Sequence, residues 1–167
     1  MVAADLKHEV LLAGGGEVSG LADMLHQFLS QILDEYPAKS RLARRISGRM
    51  LFRAAEDEAI CVKLSFDAGT IEIRDHAGAR GGMPSLTADF LTTAHLTTGE
   101  ESPFALVSRR KMRVRCAPWH APFLVRVLRL MRIPPRPEIA RARRLRWALL
   151  VVATAAAAGV AWWLLAR

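Results

Sequence analysis

The stretch Ile60-Cys-Val-Lys-Leu-Ser-Phe66, with the turn Asp67-Ala68-Gly69 and the return Thr70-Ile-Glu-Ile-Arg74, decides the fold. Ile60, Val62, Leu64 and Phe66 stand on one side of an extended chain, and Cys61, Lys63 and Ser65 on the other. After the turn, Ile71 and Ile73 oppose Glu72 and Arg74. A period of two on both sides of a small, polar turn reads as an antiparallel hairpin with one dry and one wet face. The dry face needs a cover. Upstream, Leu21, Met24, Leu25, Phe28, Leu29, Ile32, Leu33 and Tyr36 recur at three- and four-residue spacings, which is one stripe of an amphipathic helix with Ser19 as its cap.

Working outward from this pair, Pro37 stops the helix and a short helical segment with Leu42, Ala43 and Ile46 runs to Gly48. Gly48 to Arg53 is a partner strand, set off from the hairpin by the acidic turn Glu56-Asp57-Glu58. The glycine-rich Asp75 to Met83 is a loop, and Ser85 to Ala88 a further strand. Asp89 opens a helix to about Thr98 with Phe90, Leu91, Ala94 and His95 as its inner positions, and Gly99 ends it. A helical turn at Phe104 to Val107 leads to the strand Lys111 to Cys116, and Pro122 begins a helix through Ile133. The expected class is α+β, with about five mostly antiparallel strands covered on one face by helices, plus one C-terminal transmembrane helix.

That last helix is Trp147 to Ala166, 20 residues without a charge. At about 1.5 Å per residue it matches the roughly 30 Å hydrocarbon core of a bilayer. Its leucines and valines each favour insertion by about 0.3 to 0.6 kcal/mol, and Trp147, Trp162 and Trp163 fall where interfacial aromatic belts belong. Arg141, Arg143, Arg144 and Arg146 precede it and only Arg167 follows. The positive-inside rule then keeps the preceding domain on the cytoplasmic side of a single-pass tail anchor. Met1 to Glu17 has no apolar run of the secretory kind. The expected organisation is a flexible segment over 1–18, a domain over 19–133, a proline- and arginine-rich linker over 134–146 and the span over 147–166.

The charge is uneven. Met1 to Glu101 carries ten Lys or Arg against fifteen Asp or Glu, whereas Ser102 to Arg146 carries thirteen against the single Glu138. With an anchor adjacent, the basic half points to an anionic membrane surface, where each cation contributes on the order of 1 kcal/mol. Nucleic acid is not an expected partner, for no nucleic-acid motif or aromatic platform accompanies the arginines. On the last helix Arg126, Arg129 and Arg132 fall three apart in one stripe. They are the candidate membrane-surface contacts, together with Arg141, Arg143, Arg144 and Arg146.

No catalytic constellation emerges. The five histidines, His8, His26, His76, His95 and His120, lie far apart, and Ala13 to Gly16 matches neither a phosphate loop nor a dinucleotide fingerprint. Cys61 and Cys116 are too few and too widely spaced for a metal knuckle or a disulfide framework, and fall on opposite sheet faces. No cofactor or metal is expected, and the chain reads as non-enzymatic.

Four pieces in order, Gly48-Arg-Met-Leu-Phe52, Val62 to Gly69 with Ile71, Pro84-Ser-Leu-Thr-Ala-Asp-Phe90 and Lys111-Met-Arg-Val114, resemble the sterol carrier protein type 2 family over about Leu21 to Ile133. Where many members have a Gly-Asp turn after the last strand, this chain has Cys116-Ala-Pro-Trp119. The resemblance implies non-enzymatic binding of a lipid, sterol or other hydrophobic molecule between sheet and helices. It implies a pocket lined by Leu25, Phe28, Leu29, Ile32, Val62, Leu64, Ile71, Ile73, Met112, Val114, Phe123 and Leu128, which strand parity and helical phase also place inside. Carriage or presentation of such a ligand at the cytoplasmic membrane face is the expected function. The alternative is an interaction module with a filled core that recruits a soluble enzyme to the membrane, for example in quinone or lipid biosynthesis. The resemblance extends to relatives that serve as accessory proteins in membrane quinone synthesis.

Overall fold

Strand β3 (Cys61–Asp67) and strand β4 (Thr70–Asp75) pair antiparallel, Leu64 opposite Ile73 and Phe66 opposite Ile71. Their turn places Ala68 and Gly69 at positive φ. On the other side of β3 lies β2 (Gly48–Ala54), antiparallel, with Met50 opposite Leu64 and Phe52 opposite Val62. Strand β5 (Ser85–Ala88) runs parallel to β2, and β6 (Met112–Arg115) antiparallel to β5. This computed structural model describes residues 9–13, 18–57, 59–77 and 82–134.

Two features of the sheet correct the sequence expectation. Six strands are present rather than five, in the order β1-β4-β3-β2-β5-β6, and the sheet is mixed. The additional strand, β1 (Glu9–Leu12), lies within the segment expected to be flexible and runs parallel to β4, Val10 opposite Ile71 and Leu12 opposite Ile73. Val10, Leu11 and Leu12 are apolar in a row, which hides the alternation of this short strand. Its partner is also some sixty residues away, so no turn chemistry announces the pairing.

Helix α1 (Gly20–Glu35) buries the stripe Leu21, Leu25, Phe28, Leu29, Ile32 and Leu33. Ser19 caps it, accepting from the Ala22 amide, while the Ser19 amide donates to Asp75 Oδ2 at 2.8 Å and its hydroxyl donates to the other carboxylate oxygen. The start of α1 is thereby tied to the end of β4. Pro37 takes the first position of α2 (Pro37–Ala43), where a missing N–H costs nothing. Helix α4 (Pro103–Ser108) has Ser102 as its cap and Pro103 at the same early position, and α5 (Ala121–Met131) follows a 3-10 turn at Pro118–His120. Buried side chains of these helices and of the inner sheet face form one apolar cluster. The unit holding all of these elements is Met1–Ile133.

Helix α3 (Phe90–Thr98) begins and ends at the expected residues, with Asp89 as N-cap and Gly99 left-handed at φ 75°. Its inner face is nevertheless Thr92, Thr93 and Leu96, and Phe90 and Leu91 are 62% and 65% exposed. The threonines can face inward because their polar groups are satisfied locally, the Thr93 hydroxyl donating to the Asp89 carbonyl at 2.9 Å. Ile60 also departs from its expected inner place, since it precedes the strand and is exposed.

The expected linker from 135 onward, the span Trp147 to Ala166, and Arg141, Arg143, Arg144 and Arg146 lie outside the described residues, as do residues 1–8. Among the described residues no helix is long and apolar enough to cross a membrane.

The α3 cap yields a measurable outcome. Thr92, through its hydroxyl and its amide, holds the Asp89 carboxyl below the usual carboxylate range. Asp89→Ala therefore lowers stability at neutral pH by about 1 kcal/mol in urea unfolding. A depressed folded-state pKa gives stability that is present above the unfolded carboxylate value and lost as pH falls through the folded one. The gap between wild type and Asp89→Ala accordingly narrows on acidification, and a gap independent of pH excludes this role.

Candidate functional site

Five elements meet at the inner face of the sheet. From α1 come Leu25, Phe28, Leu29 and Ile32, spaced so that one helical face presents them all. Val62 and Leu64 of β3, Ile71 and Ile73 of β4, and Met112 of β6 rise from the sheet toward them, and Leu128 of α5 closes over from the other side. These ten belong to a single continuous cluster, and Val114 and Phe123 pack against it at its margin. All twelve sequence-derived residues are therefore brought together.

The centre of this region includes residues that sequence reasoning passed over. Met50 and Phe52 of β2 and Leu86 and Ala88 of β5 occupy the middle of the inner face, fully buried. The run Met50-Leu51-Phe52 hides its parity, because Leu51, on the opposite face, is buried too. Alternation fails as a signal where both faces of a central strand are covered.

The chemistry open to this region is apolar contact. Leu25, Leu29, Phe52, Val62, Leu64, Ile73 and Leu86 are each fully buried. The polar groups nearby are satisfied, as with the Ser40 hydroxyl, which donates to the Leu33 carbonyl at 2.7 Å. Among the described residues no group of three His, Cys, Asp or Glu is placed to hold a metal ion. Three methionines, Met50, Met112 and Met131, lie within it. Their unbranched thioethers change shape at lower cost than leucine or isoleucine.

An aromatic pair closes one end. The rings of Phe66 on β3 and Phe123 on α5 meet edge to face, with centroids 5.9 Å apart and planes at 75°. Phe123 also lies against the backbone of Gly48, where a Cβ would stand 2.8 Å from its Cε2, and Gly48 has φ +145°. Only glycine meets both demands.

On the opposite, outer face of the sheet, Gly48, Arg49, Lys63, Ser65, Phe66, Asp67 and Glu72 line a depression of about 350 Å³. Cys61 is buried on that same face, and Cys116 is exposed just beyond β6, both as free thiols. Burial pushes the Cys61 thiol up, against the pull of the neighbouring Arg53 guanidinium. Burial, aided by the charge of Arg132, lowers Lys39, whose ammonium donates to the Arg129 carbonyl and so ties α2 to α5. Arg126, Arg129 and Arg132 have exposed side chains on α5.

A mixed six-stranded sheet with helices packed on its apolar face defines the class, an α+β domain whose fold is like that of sterol carrier protein 2. A crystal structure of sterol carrier protein 2 superposes with a TM-score of 0.51 at 17% identity, covering 68% of this chain and 92% of that one. A UbiJ-SCP2 ubiquinone synthesis protein gives 0.48 at 12% identity, covering 66% and 92%. A conserved hypothetical protein from Thermus thermophilus, described as possibly a sterol carrier protein, gives 0.46 at 14% identity, covering 77% and 98%. At these identities the likeness is one of fold. No protein-family model matches the chain, and no curated protein matches it.

The packing of Ile73 provides a test. Ile73→Trp adds volume at a fully buried position and costs about 1 to 3 kcal/mol if the core cannot yield, and less if it can. Thermal unfolding of the variant reads this directly. An unchanged Tm marks space already available beside Ile73, and a loss at the upper figure marks a rigid, filled core.

Proposed function

We propose that this chain binds a hydrophobic molecule, a lipid, sterol or isoprenoid, between its helices and sheet, and carries or presents it without catalysis. The observation that carries the reading is the single apolar cluster between α1, α5 and the inner sheet face, in a domain where no charged residue among those described is buried. A ligand entering it exchanges side-chain contacts for its own, and at about 25 cal/mol per Å² the removal of its apolar surface from water is the driving force. The Met-containing interior and the aromatic pair at one end favour such an exchange.

In this reading the uncharged Trp147 to Ala166 holds the chain in a membrane, with the domain on the cytoplasmic side. Thirteen residues from Pro134 to Arg146 reach at most about 45 Å when extended. Exchange would then be local, between the domain and the bilayer beside it. The full burial of Leu25, Val62, Leu64 and Ile73 favours a second reading, in which the core is only a core and the domain is a module that recruits a protein partner to the membrane, for lipid or quinone synthesis among other uses.

Mass spectrometry of organic extracts from the purified chain separates the two. A stoichiometric hydrophobic molecule, lost in the Ile73→Trp variant, is expected. A chain that extracts clean and binds no fluorescent fatty acid, sterol or isoprenoid below its aggregation limit belongs to the second reading.

The anchor is tested on its own. The full chain is expected in the membrane pellet after alkaline carbonate washing, and a chain ending before Arg141 in the supernatant. Release of the full chain by carbonate removes the anchor from the proposal.

A further inference from the structure

Strand register sorts the charges of residues 9–133 between the two ends of the sheet. Ala54, Cys61, Asp75, Ala88 and Met112 mark one end. The turns there are acidic, with Glu56, Asp57, Asp75 and Asp89, and with Glu101, which pairs with Lys111 at 2.8 Å and Arg109 at 3.0 Å. Gly48, Asp67 and Thr70 mark the other end, joined by the residues that follow β6. Here stand Arg45 after α2, Arg49 at the start of β2 and Arg115 at the close of β6, all exposed and forming no ion pair among the described residues. The acids at this end are Asp67 in the β3–β4 turn and Glu9 at the head of β1, opposite Thr70.

At the same basic end is Trp119, in the turn between β6 and α5, with 77% of its surface exposed. Its ring contact among the described residues is the neighbouring His120, at 6.1 Å between centroids. An indole left in water forfeits the burial that normally holds a tryptophan in place. Amphipathic indoles flanked by cations are the side chains that settle at the headgroup level of a bilayer.

We propose that this end of the domain docks on an anionic lipid surface, with Trp119 lodged among the headgroups and Arg45, Arg49 and Arg115 on their phosphates. The charges alone would suit a nucleic acid as well. Binding of that kind relies on several exposed rings for stacking, whereas the next aromatic ring, Phe123, is turned inward against Gly48 and Phe66. Docking through this end also differs from docking through the α5 stripe. Phe123, near the start of α5, lies at Gly48, and Ile133, just past its end, at Gly99. The stripe therefore climbs away from this end, with Arg132 about 9 Å farther along the helix than Arg126. The docking is independent of any ligand. That the docked end would also be the ligand's entrance, past Phe66 and Phe123, rests on the lipid-binding reading above.

The test uses the full chain with Trp147→Phe, Trp162→Phe and Trp163→Phe, so that Trp119 is the single indole, mixed with vesicles of brominated phosphatidylcholine and phosphatidylglycerol in equal parts. Trp119 emission should shift to the blue and be quenched at low salt, much less so in pure brominated phosphatidylcholine. Each arginine beside an anionic leaflet shifts the docking equilibrium by about fivefold. Arg49→Glu with Arg115→Glu should therefore abolish the quenching, and Arg129→Glu with Arg132→Glu should leave it. Unquenched, water-like emission in the anionic vesicles overturns the proposal. So does loss of quenching in the α5 pair alone, which assigns docking to the stripe, or quenching by single-stranded RNA without any by vesicles, which assigns this end to nucleic acid. Carbonate-resistant pelleting, recorded in parallel, reports the anchor, and bound lipid reports the carrier reading. Trp119 quenching in a chain that fails either of those assays keeps the docking and discards only the other claim.

Discussion

The apolar contact between the α1 stripe and the inner face of the β3–β4 hairpin is the interaction on which the rest of this domain depends. Leu25, Leu29 and Ile32 lose essentially all solvent exposure against a surface that includes Ile71, Ile73, Val62 and Leu64. Burying side chains of this size is worth about 1.5 to 3 kcal/mol each, the largest favourable terms available to a domain of this length. Hydrogen bonds then set the geometry. Ser19 caps α1 and binds Asp75, which fixes the helix over the end of β4, and His26 Nε2 lies 3.3 Å from the Val10 carbonyl, beside β1. With that layer in place, β1 can join the hairpin's free edge and α5 can close the remaining apolar surface.

The same contact makes the domain a candidate binder. A core built between two layers can part along their interface without breaking the sheet, because every ladder hydrogen bond lies within one layer. The seam ends at Gly48, where the Phe123 ring rests on bare backbone and meets Phe66. Movement of one aromatic side chain there alters access to the interior at little cost to secondary structure. The side chains along the seam are apolar, so what it offers a guest is contact and exclusion of water.

Charge is organised on a different axis from hydrophobicity. The layers separate wet from dry, while register gathers the exposed Arg45, Arg49 and Arg115 with Trp119 at one end of the sheet. Sequence position already hinted at this through the shift in charge after Glu101, but the division in space follows register. Arg45 and Arg49 belong to the acidic half of the chain and yet share an end of the fold with Arg115 and Trp119.

The sequence by itself determined the hairpin, the α1 stripe and its cap, the partner strands β2, β5 and β6, and the boundaries of α3, because each is written in periodicity or turn chemistry within a dozen residues. It also picked out ten residues of one buried cluster and two, Val114 and Phe123, at its margin, since parity and helical phase are local properties. Tertiary structure alone decided the rest. Strand β1 is defined by a parallel partner remote in sequence. The inner face of α3 rotated to Thr92, Thr93 and Leu96 because local bonds satisfy the two threonine hydroxyls, leaving Phe90 and Leu91 in solvent. Leu51 and Cys61 are buried on the face that alternation marks as wet, since burial on both sides of a central strand erases the signal. The close approach of Phe123 to Gly48, and the gathering of arginines around Trp119, exist only once distant turns are brought to the same end of a sheet. No local pattern encodes a contact whose partners are set by register.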